Sequence, residues 1–108
     1  MILKPEIEAE IYLLPKGNSP REGPLREDFV GFFGCPMILP SGNWDCRMVF
    51  PDSKGIVVLG ETAKALIQFL SPKEVLMNLN VGDTFELWES GCIATGRVTK
   101  ILKDPTSG

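Results

Sequence analysis

Gly60-Glu-Thr-Ala-Lys-Ala-Leu-Ile-Gln-Phe-Leu-Ser-Pro72 and Phe85-Glu-Leu-Trp-Glu-Ser-Gly-Cys-Ile-Ala-Thr-Gly-Arg-Val-Thr-Lys-Ile-Leu102 decide the fold. In the first, Ala63, Ala65, Ile67 and Phe69 recur at every second position, with Lys64 and Gln68 between them. That period belongs to a strand with one buried face, and the run stops at a proline, which has no N–H to give a ladder. In the second, Thr84 to Glu89 predicts a strand that turns through Ser90-Gly91 into Cys92 to Lys103. A glycine there accepts the positive φ of a hairpin turn at little cost. Ala94 and Gly96 are small, which lets the closing strand approach its neighbours or a partner backbone.

Working outward, Glu8 to Leu14 alternates again, with Ala9, Ile11 and Leu13 on one face and Glu8, Glu10 and Tyr12 on the other. Phe29 to Phe33 is a further candidate strand, and in Trp44 to Phe50 the residues Cys46, Met48 and Phe50 share a phase. Pro51 to Gly55 then turns the chain into Ile56 to Leu59. Pro15, Gly17, Pro20, Gly23 and Pro24 mark one long loop, and Pro36, Pro40 and Gly42 a second. One helical signal interrupts the strands. Ser71-Pro72-Lys73-Glu74 has the form of a capping box with proline at the first helical position, predicting a helix over Lys73 to Met77. Val75, Leu76 and Leu79 give it an apolar face, fitting either a plug over the core or a mobile recognition helix.

These elements predict an all-β fold, a small six-stranded antiparallel closed barrel with one short helix, in a single domain spanning residues 1–108. Closure is one way to leave no sheet edge exposed. The expected interior is Ala9, Ile11, Cys46, Met48, Ala65, Ile67, Phe69, Phe85, Leu87 and Val98. Asp104 to Gly108 reads as a frayed tail.

Composition narrows the function. Hydrophobic residues make up 44% of 108, enough for a core. The net charge of −3 weighs against a nucleic-acid binder, whose affinity rests on phosphate neutralisation. There is no histidine, and Cys35, Cys46 and Cys92 are widely spaced, which predicts no metal site and three reduced core thiols. No apolar run of membrane-spanning length and no secretory leader are present, so a cytoplasmic location is expected.

Across residues 8–102 the order of segments resembles the C-terminal β-barrel, the third domain, of translation elongation factor Tu and its relatives. Glu8-Ala-Glu-Ile-Tyr-Leu-Leu14 is similar to that barrel's opening Glu-Ala-Glu-Val-Tyr-Ile-Leu, and Arg21-Glu-Gly-Pro-Leu25 stands where the family has Arg-His-Thr-Pro-Phe. Met48 to Glu61 resembles Ile-Glu-Leu-Pro-Glu-Gly-Val-Glu-Met-Val-Met-Pro-Gly-Asp. The resemblance implies a binding module with no chemistry of its own, packed in the family against a GTPase domain, a second barrel and the T stem of aminoacyl-tRNA. By position, the family's tRNA-side turn Arg-Glu-Gly-Gly-Arg becomes Trp88-Glu89-Ser90-Gly91-Cys92, without either arginine, and its basic position before the strand-ending proline becomes Ser71. The loss of those cations implies weakened tRNA contact. Nothing resembles Gly-x-x-x-x-Gly-Lys-Ser/Thr, so no GTP site is expected.

The functional expectation is therefore a non-catalytic module, without a cofactor, that docks on a protein partner (a translation-type GTPase or a second copy). The alternative is an RNA-binding barrel with weak tRNA contact through Arg97, Lys100 and Lys103, with Lys64 and Lys73 nearby. The family's polar loop is replaced by Gly34 to Trp44, which makes Met37, Ile38, Leu39 and Trp44 the expected partner-binding residues. Two roles stand open for Trp44 and Trp88: lids on the core, or half-exposed anchors. Glu8, Glu10, Glu27 and Asp28 read as solvated carboxylates.

Overall fold

Alternation along the chain becomes six long strands, β1 (Ile7–Leu13), β3 (Phe33–Leu39), β4 (Gly42–Val49), β6 (Thr62–Phe69), β7 (Thr84–Trp88) and β8 (Cys92–Ile101). Two short strands, β2 (Leu25–Arg26) and β5 (Ile56–Val57), pair with each other, and one helix, α1 (Pro72–Leu76), follows β6. The computed structural model describes residues 3–102. Lys103 and the predicted tail lie outside them.

The six strands close in the order β1-β6-β4-β3-β7-β8, every pairing antiparallel, with β8 returning to β1. The predicted class is the observed one: an all-β closed six-stranded barrel with one short helix. All ten residues expected inside are buried. β1 forms long ladders on both sides, Ala9 standing opposite Ala65 of β6 and Val98 of β8, and Ile11 opposite Ala63 and Gly96. Each of these four pairs contains at least one small residue, and Phe50, Phe69, Met37 and Met48 fill the remaining interior.

Gly96 shows why its strand needs a missing side chain. Its cross-strand partner on β7 is Phe85, and a Cβ built at Gly96 would lie 2.3 Å from Phe85 Cζ. The phenyl ring occupies the space that any other residue would fill.

Glu6 is buried to 3% exposure just before β1. Its Oε1 accepts the Phe69 N–H at 2.7 Å, its own N–H donates to Ile67 O at 2.8 Å, and its carbonyl accepts the Leu102 N–H at 2.8 Å. It therefore joins the start of β1 to the ends of β6 and β8. Glu27, expected to be solvated, is partly buried, its Oε2 accepting the Phe50 N–H at 2.7 Å.

Three local expectations are corrected. Phe29 to Phe33 is not a strand: Asp28, Phe29, Val30 and Gly31 form a turn, and β3 begins only at Phe33. Gly34 to Trp44 is not a loop but most of the β3–β4 hairpin, joined by Pro40 and Ser41. Pro36 and Gly34 disguised its alternation. The helix starts one residue earlier than predicted, at Pro72, and the Ser71 side chain makes no capping hydrogen bond; the Ser71 carbonyl instead accepts the Val75 N–H at 3.2 Å. Val75, Leu76 and Leu79 join the core cluster, as a plug would.

Gly96→Ala should lower stability by about 1–3 kcal/mol in urea unfolding, because Phe85 must leave its rotamer or the strands must part. Adding Phe85→Leu should recover part of that loss. An additive double variant would mean that the two residues do not share this space.

Candidate binding surface

The hairpin register sorts the residues expected to meet a partner. Met37 (0% exposed) and Leu39 (7%) point into the barrel, so the core takes them and they are not available to a partner. Trp44 shares the inward phase of Cys46 and Met48 and packs partly buried against the core, its Nε1 donating to Ser41 Oγ at 3.0 Å. It is a lid. Ile38 alone of the four stands on the outer face, half-buried.

Trp88 is on the outer face of β7, 41% exposed, and its Nε1 donates to Glu86 Oε1 at 2.8 Å. The turn beyond it is held from the 15–24 loop. Arg21 Nη1 donates to Glu89 Oε1, while its Nη2 and Nε donate to the carbonyls of Pro24 (2.6 Å) and Gly23 (2.9 Å). The same guanidinium lies 5.4 Å from the centre of the Phe33 ring. Ser90 and Gly91 both take positive φ, 57° and 141°, and a Cβ on Gly91 would meet Pro20 at 3.3 Å. Ser71 follows β6, and β4 and β3 stand between β6 and β7, so it does not join this turn.

A shallow groove of about 620 Å³ crosses the outer face over β1, β8, β7 and the end of β3. The register lines up Tyr12, Thr95, Glu86 and Ile38 in one row and Glu10, Arg97 and Thr84 in the next. Glu8 and Glu10 of β1 break up the basic residues: Lys64 lies opposite Glu10 on one side, and Arg97 and Lys100 lie opposite Glu10 and Glu8 on the other. Lys64 Nζ is also 3.4 Å from Asp52 and 3.9 Å from Glu8. Signs alternate across this face, and among the described residues they do not form the continuous cationic stripe that phosphate backbones favour.

Among the described residues, the most exposed large apolar group is one that pattern reading misplaced. Phe29 is 99% exposed and Val30 43%, at the tip of the turn that replaces the expected strand. The Asp28 carbonyl accepts the Gly31 N–H at 2.9 Å, the Asp28 N–H donates to Phe32 O at 3.1 Å, and Asp28 Oδ1 accepts the Val30 N–H at 2.8 Å. Gly31 follows at φ +97°. Below the turn, Phe32 carries the Arg47 guanidinium 4.9 Å from its ring centre. Asp-x-x-Gly was the legible signal: aspartate at the first position and glycine at the last favour a tight turn.

Cys92 sits beside this surface. Partial burial, and then the neighbouring Glu86, push its thiol up against a smaller lowering influence of the Ala94 backbone; the Sγ–H donates to Ala94 O at 3.4 Å. The carboxylate that affects it is Glu86 and not Glu89, which is turned to Arg21. A thiol kept protonated is the reverse of an activated nucleophile. Among the described residues no group of three or more His, Cys, Asp or Glu could hold a metal ion, and no helix is long and apolar enough to cross a membrane.

Comparison with protein-family models gave no match, and comparison with curated proteins gave none either.

Arg21→Ala should loosen the β7–β8 turn without melting the barrel. Amide exchange at Glu89 should quicken, with a stability loss of about 1 kcal/mol, since the ion pair is half-exposed and only its backbone contacts are sheltered. Unchanged exchange would mean that the turn stands without the 15–24 loop.

Proposed function

We propose that this barrel is a non-catalytic binding module, like the third barrel of elongation factor Tu, and that it docks on a protein partner in the cytoplasm through Phe29 and Val30. The observation that carries this reading is an aromatic ring 99% exposed on a turn closed by three hydrogen bonds. Leaving a phenyl ring in water forgoes about 2 kcal/mol of burial. A rigid tip loses little conformational entropy when it enters a pocket, and such aromatic anchors carry much of the energy of many interfaces. The resemblance directs the search for a partner to a translation-type GTPase on another chain, or to a second copy of this one.

Support for a module without chemistry comes from the protonated thiol of Cys92, the lack of histidine and the lack of a phosphate-binding loop. The carboxylates of β1 among the basic residues weigh against tRNA as the main ligand.

Phe29→Ala should weaken binding of a co-purifying partner, or the self-association constant, about 30-fold or more, with the thermal midpoint unchanged. Trp44→Ala should lower the thermal midpoint instead, because that ring covers the core. Undiminished binding by Phe29→Ala would overturn the assignment. Transfer RNA should bind no better than roughly 10⁻⁴ to 10⁻⁶ M at physiological salt. Tight, acylation-sensitive tRNA binding would replace the protein-docking reading with the RNA one.

A further inference from the structure

Cys35 of β3 and Cys46 of β4 stand directly opposite each other in the hairpin register. Both side chains point into the barrel, 8% and 2% exposed, and both thiols are free. Cys46 Sγ lies 3.3 Å from the Cys35 carbonyl oxygen, within reach of its cross-strand partner. Residues directly opposite in antiparallel strands have Cα atoms about 4.5–5.5 Å apart. That interval falls inside the roughly 4.4–6.8 Å that a disulfide spans. In sequence the two cysteines are eleven residues apart and suggest no pairing; the register is what places them face to face.

We propose that Cys35 and Cys46 are a modification site, forming a reversible disulfide across the β3–β4 hairpin with a small-molecule disulfide as oxidant. The Cys35 thiol loses its proton and its sulfur attacks one sulfur of oxidised glutathione, releasing one glutathione thiolate, which takes up that proton. The Cys46 thiolate then attacks the Cys35 sulfur of the mixed disulfide, and the second glutathione leaves as thiolate and takes up the Cys46 proton. One protein S–S bond forms and two glutathione thiols appear, so the protein gives up two electrons and the glutathione disulfide accepts them.

Position gives the bond its effect. On one side β3 is held to β4 from Phe33–Met48 to Leu39–Gly42, but on the other it meets β7 only through Met37–Leu87 and Ile38–Glu86. The short seam is where the barrel wall opens at least cost. A covalent link between β3 and β4 removes the open-hairpin conformations from the unfolded chain. The hydrogen bond with Cys35, with burial after it, holds the Cys46 thiol well above its ordinary value, so exchange in the folded barrel is slow and waits for the wall to open at the β3–β7 seam.

The test uses the Cys92→Ala chain, in which only the two facing thiols remain, refolded from urea in a glutathione redox buffer so that both are accessible while the bond can form. The expected product is monomer lighter by two hydrogens, resistant to alkylation, with a peptide map joining the segments that contain Cys35 and Cys46. Its thermal midpoint should rise by about 10 °C and return on adding dithiothreitol. Cys35→Ala with Cys92→Ala should show neither change. Two alkylatable thiols, a persistent glutathione adduct or only disulfide-linked dimers under oxidising buffer would overturn the proposal, as would a midpoint unchanged or lowered by the bond.

Discussion

Closure of the barrel depends on the fit of the Phe85 ring against the bare backbone of Gly96. Gly96 also pairs with Ile11 on its other side, so three strands meet at a point where one of them contributes no side chain. An added methyl would meet ring carbon at a distance no packed core tolerates, so Phe85 would have to leave its rotamer or strands β7, β8 and β1 to separate. Separation there would open the cylinder along its length and leave two unpaired edges. Interior volume and hydrogen-bond continuity are thus satisfied by the same residue pair.

With the interior settled in this way, the outside of the barrel is free to vary. Its outward positions carry charges of both signs around β1, a tryptophan tied to a glutamate on β7, and a turn fixed to a loop by one arginine. Among the described residues, only the Asp28–Gly31 turn directs a large apolar group fully away from the body. Local polar bonds hold that turn, so it does not depend on the core and can change without altering it.

Much of the cylinder was legible because β1, β6 and β7 alternate cleanly, and Ser90-Gly91 marks the turn from β7 into β8. The β3–β4 hairpin was not. Pro36 and Gly34 are loop-forming residues by propensity, yet both take outward positions in β3, while Cys35, Met37 and Leu39 fill the inward ones. Tertiary closure overrides propensity at those sites. The same misjudgement put Met37 and Leu39 on a binding surface and hid Phe29 in a strand, because a fully exposed phenylalanine has no counterpart in a pattern built on burial. Glu6 was passed over since a carboxylate before a strand reads as solvated, and only the geometry reveals the backbone N–H of Phe69 that it satisfies.

Glu6 has a topological consequence as well. Its carbonyl takes the N–H of Leu102, and Ile7 stands opposite Ile101, so the chain enters and leaves the cylinder side by side. A body whose entry and exit points coincide can be set into a surface loop of a larger protein as a pendant without stretching its host, and it can be joined end to end and reopened at another turn. The barrel's interior is indifferent to where the peptide chain is cut, provided the break falls outside the ladders.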